Sequence, residues 1–91
     1  MAQRTVVVAS RVGLHARPAK VFTQAASASG LPVTIAKAGG TPVDAASILR
    51  VMALAVGHGE EVTLAAEGAD ADAVLEDLAS LLATDLDAER P

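Results

Sequence analysis

Apolar and polar positions change period several times along the 91 residues, and each change predicts an element. Gln3 to Ala9 contains the β-branched run Thr5-Val6-Val7-Val8 and reads as a first strand. From about Ala16 to Ala28 the spacing lengthens. Ala19, Phe22 and Ala26 fall on one face at helical intervals, with Ala25 beside them, and Gly30 stands where such a helix would end. Pro32 to Ala38 alternates again, with Val33 and Ile35 to one side. Gly39-Gly40 signals a tight turn into a short third strand, Thr41 to Val43, whose Pro42 cannot donate to a ladder and so argues for a sheet edge. Asp44-Ala45-Ala46 leads into a short helix, about Ser47 to Leu54, with Ser47 as its natural N-cap. Gly57-His58-Gly59 is a turn, with His58 expected in solvent. Glu60 to Glu67 is a fourth strand, with Val62 and Leu64 on one side, closed by Gly68. Asp70 then caps a last helix to about Ala83, with Val74, Leu75, Leu78, Leu81 and Leu82 as its buried stripe and Asp72 suiting the first turn.

The order is βαββαβα. Four short strands and three helices predict an α/β protein of the α+β type, a two-layer sandwich with its helices on one face of a sheet. No internal repeat or linker is visible. Residues 1–91 therefore read as a single domain with an ordered core of about 3–83 and a polar, acidic tail, 84–91, expected to fray.

The short helix carries more apolar surface than one contact needs. Ile48, Leu49 and Met52 cover one arc, and Val51, Leu54 and Ala55 the next. Together they span roughly 220°, against the roughly 100° stripe that a single core contact requires. Either the helix is sunk deeper than usual, or one arc is exposed and meets a partner.

Composition narrows the classes. Just over half of the residues are apolar, but Phe22 is the one aromatic, so alanine, valine and leucine must fill the interior. There is no cysteine, which excludes a disulfide framework and a thiolate metal site and suits a reducing cytoplasm. No apolar run approaches the roughly 20 residues of a membrane helix. The start, Met1-Ala2-Gln3-Arg4-Thr5, lacks the apolar segment of a signal peptide, so a cytoplasmic protein without membrane insertion is expected.

Net charge is −4 but unevenly spread. Residues 1–50 carry six of the seven Lys and Arg against Asp44 alone, a balance of about +5, whereas residues 51–91 carry Arg90 against ten acids, about −9. The basic half would speed encounter with acidic protein surfaces. Nucleic acid is a poor alternative, because there is no aromatic platform on which bases would stack.

The candidate chemistry lies in Gly13-Leu14-His15-Ala16-Arg17-Pro18-Ala19, where a histidine stands at the junction of loop and helix. A neutral imidazole nitrogen is a covalent nucleophile. The positive end of a helix disfavours imidazolium and would welcome an anionic adduct. Arg17 can add a charge-assisted contact to phosphoryl oxygens, and the first-turn N–H groups of Ala16 and Arg17 can hold others. Gly13 would let a partner's backbone come close, and Pro18 suits a helix's first turn. Leu14 is either a buried anchor or an exposed contact. The residues alone leave a second reading open, that His15 is a solvated or capping side chain. Two histidines without further ligands make no convincing metal site, and no nucleotide loop is visible, so no cofactor is expected.

The run Gly13-Leu14-His15-Ala16-Arg17-Pro18-Ala19 resembles the active-site signature of HPr, the histidine-containing phosphocarrier family of the bacterial sugar phosphotransferase system. Turns, helix starts and the Ser47 region follow the family order through about Leu82. The resemblance implies an antiparallel sheet of strand order 1-4-2-3 with its other face open to solvent. It implies that His15 takes a phosphoryl group on Nδ1 from enzyme I, which received it from phosphoenolpyruvate, and passes it to IIA domains of sugar permeases, with Arg17 assisting. It places Pro18, Ile48, Leu49 and Met52 at the partner interface. A monomer is the default, and the chain would be a carrier rather than a turnover catalyst on its own. A regulatory interaction module of the same fold, or a nitrogen-branch paralogue, is the alternative. Ser47 matches a serine that a dedicated kinase phosphorylates in some members. The commonest pattern there is Asn-Ala-Lys-Ser, and this chain has Asp44-Ala45-Ala46-Ser47. Ser47 is therefore either a plain cap or a regulatory phosphosite.

Overall fold

The structure is a computed structural model that describes residues 2–9, 13–14 and 16–84. In chain order the elements are β1 (Ala2–Val7), α1 (Ala16–Ala28), β2 (Val33–Lys37), β3 (Val43–Asp44), α2 (Ile48–Ala53), β4 (Glu61–Ala66) and α3 (Ala71–Leu82). The four strands form one antiparallel sheet of order β1-β4-β2-β3. The helices cover one face, and the other faces solvent.

Alternation along the strands decides which side is covered. In β4, Val62, Leu64 and Ala66 are buried, and in β2 Val33 and Ile35. The register sets Ile35 beside Leu64, both fully buried, at the middle of the core. On the open face Thr5 lies opposite Thr63, their hydroxyls 3.4 Å apart. From the helical side, α1 contributes Ala19, Phe22 and Ala26, and α3 contributes Ala71, Leu75, Leu78 and Leu82. Phe22 is the largest of these and is fully buried, worth about 1.5–3 kcal/mol relative to exposure. Thr23, a polar residue in this layer, satisfies its hydroxyl on the Lys20 carbonyl at 3.2 Å. Gly30 N–H bonds the Ser27 carbonyl at 3.3 Å as α1 ends.

Several expected boundaries shift. β1 is one residue earlier at its start and two shorter at its end than the β-branched run suggested. β3 begins at Val43, after Pro42, and includes Asp44, which pairs with Thr34 rather than leading into α2. β3 pairs with β2 alone, so it is an edge strand. Gly39, at φ 76°, makes the β2–β3 turn, closed by Gly40 N–H on the Lys37 carbonyl at 2.7 Å. Asp70 stands at the N-cap of α3 but makes no side-chain cap hydrogen bond, and only its carbonyl engages, accepting from Val74 N–H at 3.0 Å. Val74 and Leu81 are half-buried, so the stripe of α3 is narrower than expected, and Ala71 joins it. Thr84 is bonded to the end of α3, through its hydroxyl to the Ser80 carbonyl at 2.9 Å. The rest of the expected tail, 85–91, lies outside the described residues.

Candidate functional site

His15, the expected nucleophile, lies outside the described residues, as do residues 10–12. The chain on both sides is described. Leu14 is a buried anchor, 1% exposed, and its N–H donates to the Val56 carbonyl at 3.0 Å. Gly13 has φ 70°, and the space its side chain would occupy is filled by the backbone of Val56 and Gly57. The expectation that Gly13 admits a partner's backbone is corrected: the chain's own loop takes that place. On the far side of residues 10–12, Val8 N–H bonds the Glu60 carbonyl and Gly59 N–H bonds the Val8 carbonyl, each at 2.9 Å. Val8 and Leu14 are thus both anchored on the loop between α2 and β4.

Beyond His15, Ala16 and Arg17 open α1. N–H groups at the start of a helix point out of its end, and the summed peptide dipoles leave that end with roughly half a positive charge. Arg17 is exposed at this end. Pro18 follows in the first turn, where its missing N–H removes no intrahelical bond. Pro18 is itself fully buried. Its expected place at a partner surface is corrected, because a buried ring offers nothing to a docking protein and instead packs α1 onto the core.

The second part of the region is α2, which packs against α1. Ser47 is its N-cap, with Oγ accepting from Arg50 N–H at 3.4 Å, a long bond. One turn earlier Asp44 Oδ1 accepts from Ala46 N–H at 2.9 Å. Of the two apolar arcs expected on this helix, only Val51 is fully buried. Met52 and Leu54 are half-buried against the core, whereas Ile48 and Leu49 are 38% and 78% exposed. Ala55 lies beyond the helix, at φ 56°, and is exposed. The exposed apolar surface is therefore narrower than the whole arc and centres on Leu49.

Two residues near this loop were not singled out by sequence reading. Lys37, at the end of β2, donates to the Ala55 carbonyl at 3.2 Å and pairs with Glu60 Oε1 at 3.2 Å. The Lys37 ammonium, and then the nearby Gly57 backbone, hold the Glu60 carboxyl below the usual glutamate range. Lys37 and Ala55 are 18 residues apart, a pairing that no local motif announces. Among the described residues, no three His, Cys, Asp or Glu side chains stand together as metal ligands. Among the described residues, no helix is long and apolar enough to cross a membrane.

Comparison with known proteins points to one family. Residues 2–84 match the family model for the PTS HPr component phosphorylation site. The phosphocarrier protein HPr of Streptomyces coelicolor is 54% identical over 87 residues, 96% of this chain and 94% of that protein. The crystal structure of HPr from Bacillus anthracis superposes with a TM-score of 0.84 at 41% identity, covering 89% of this chain and 95% of the other. The Bacillus subtilis protein Crh, whose crystal structure is described as a domain-swapped dimer, gives a TM-score of 0.72 at 42% identity over 94% of this chain and 98% of that one.

Proposed function

The chain belongs to the HPr phosphocarrier family of the phosphotransferase system, and from that premise we propose that it accepts a phosphoryl group on His15 from phospho-enzyme I and passes it to IIA domains of sugar permeases. The observation that supports this reading is the start of α1 at Ala16, immediately after His15, with Arg17 exposed at the same end. A helix start disfavours a charged imidazole, which keeps the nucleophile in its neutral form. Attack by Nδ1 forms a P–N bond as the bond from phosphorus to enzyme I breaks, and the ring's other nitrogen keeps the proton. The adduct is anionic. The helix end then stabilises it, the N–H groups of Ala16 and Arg17 hold phosphoryl oxygens, and the Arg17 guanidinium neutralises charge. The same groups thus serve acceptor and product.

Docking falls to the apolar surface of Ile48, Leu49 and Met52, one patch for both partners in turn. Residues 1–91 act as one domain, a cytoplasmic monomer that carries a group between two enzymes and needs no cofactor of its own. Ser47 contributes a helix cap. A phosphate added there would put charge beside Ile48 and Leu49 and weaken docking. Incubation with a family kinase and ATP, followed by site mapping, tests that role.

A second reading has the likeness to Crh behind it: a regulatory module of the same fold that binds proteins without relaying sugar phosphate. The intact Gly13–Ala19 run favours the carrier, because a purely regulatory chain has no need of His15.

The deciding experiment incubates the protein with enzyme I, phosphoenolpyruvate and Mg²⁺ and reads its intact mass before and after mild acid. A gain of one acid-labile phosphoryl group, absent in His15→Ala, is the expected result. No gain, with the enzyme I shown active on another carrier, refutes the sugar-relay reading.

A further inference from the structure

Lys37 and Glu60 hold the two ends of a three-residue segment, Ala55-Val56-Gly57. The Lys37 ammonium donates to the Ala55 carbonyl at 3.2 Å, and the Glu60 backbone N–H donates to the Gly57 carbonyl at 3.2 Å. The two side chains are joined to each other at 3.2 Å. The residue between, Val56, presents its carbonyl to Leu14 N–H at 3.0 Å. Its neighbour Ala55 has φ 56°, a left-handed backbone that an alanine keeps only where its surroundings hold it.

We infer that Lys37 and Glu60 are positioning residues for phosphoryl acceptance: by fixing the Val56 carbonyl they fix Leu14, and so the direction from which the chain enters His15. This rests on the carrier reading above. An ordinary surface ion pair joins two side chains and contributes little. Here the Lys37 ammonium also holds a main-chain carbonyl on one side of the residue that seats Leu14, and its ion pair runs to Glu60, whose backbone N–H bonds the Gly57 carbonyl on the other side. Glu60 adds a further tie through its own carbonyl, which holds Val8 at 2.9 Å. Neither side chain needs to touch the phosphoryl group; both act through the loop.

The test uses Lys37→Met, Glu60→Gln and the conservative Lys37→Arg, with two readouts. The first is amide exchange at Leu14 relative to Leu64 in the sheet. The second is the kinetics of phosphorylation by enzyme I and phosphoenolpyruvate. Both side chains are more than a third exposed, 37% and 43%, so the expected effects are modest. Leu14 exchange should rise roughly two- to fivefold while Leu64 holds, and kcat should fall by a similar factor. KM for the carrier should stay constant, because the patch around Leu49 is untouched. Lys37→Arg should restore both. Unchanged Leu14 exchange in Lys37→Met overturns the inference, and so does faster exchange with wild-type kcat. Failure of the unmodified protein to take phosphate would instead refute the carrier reading, a different result from variants that match a working wild type.

Discussion

Gly13 and Gly57 stand backbone to backbone: a Cβ added to Gly13 would lie 2.7 Å from the Gly57 Cα, and closer still to the Val56 carbonyl oxygen. Neither neighbour is a flexible side chain, so relief requires the loop itself to move. Gly13→Ala also places a side chain at φ 70°. Left-handed strain of about 1–2 kcal/mol adds to overpacking of about 1–3 kcal/mol. The expected loss is roughly 2–5 kcal/mol in urea denaturation, with slower phosphoryl acceptance because Leu14 loses its seat.

Leu49 separates binding from stability. At 78% exposure it contributes little to the core, so Leu49→Asp should change folding free energy by no more than about 0.5 kcal/mol. Burying its new charge in an apolar contact should raise KM for the carrier with enzyme I on the order of tenfold. An unchanged KM would place the docking surface elsewhere.

Ser47→Ala removes a cap whose hydrogen bond is already long at 3.4 Å. The cost should fall at the lower end of the cap range, about 0.5 kcal/mol. Thermal unfolding of the two proteins reads it directly.

Glu60 gives stability a dependence on pH. Its carboxyl titrates lower in the folded chain, chiefly through the hydrogen bond from Lys37. Between the folded and unfolded values the unfolded chain binds more protons, so stability rises with pH there. The contribution is present above the ordinary glutamate range and is lost as pH falls through the lower folded value. Wild type should therefore exceed Glu60→Gln in stability at pH 7, and the gap should close on acidification in denaturation curves.

Much of the architecture is legible from local pattern. Val33 and Ile35, or Ala19, Phe22 and Ala26, declare their buried faces because period and burial follow from the geometry of strand and helix. The turn chemistry of Asp44 suggests a helix approach, whereas pairing with Thr34 draws it into the sheet. Pro18 shows the same limit: its place in a first turn is a local fact, but its burial depends on what packs over α1. The Gly13–Ala19 run announces the chemistry. The support beneath it, Lys37 to Ala55 to Val56 to Leu14, joins distant parts of the chain, and no spacing rule reaches it.

The isolation of Phe22 has an optical consequence. The chain has no tryptophan or tyrosine, and its one phenylalanine is sealed in the core. The protein is therefore almost dark in the near ultraviolet, and its faint near-ultraviolet dichroism arises from one packed ring. In a mixture with a tryptophan-bearing partner all of the emission belongs to the partner. Any change on mixing then reports the partner's side of the contact, without a label on either protein.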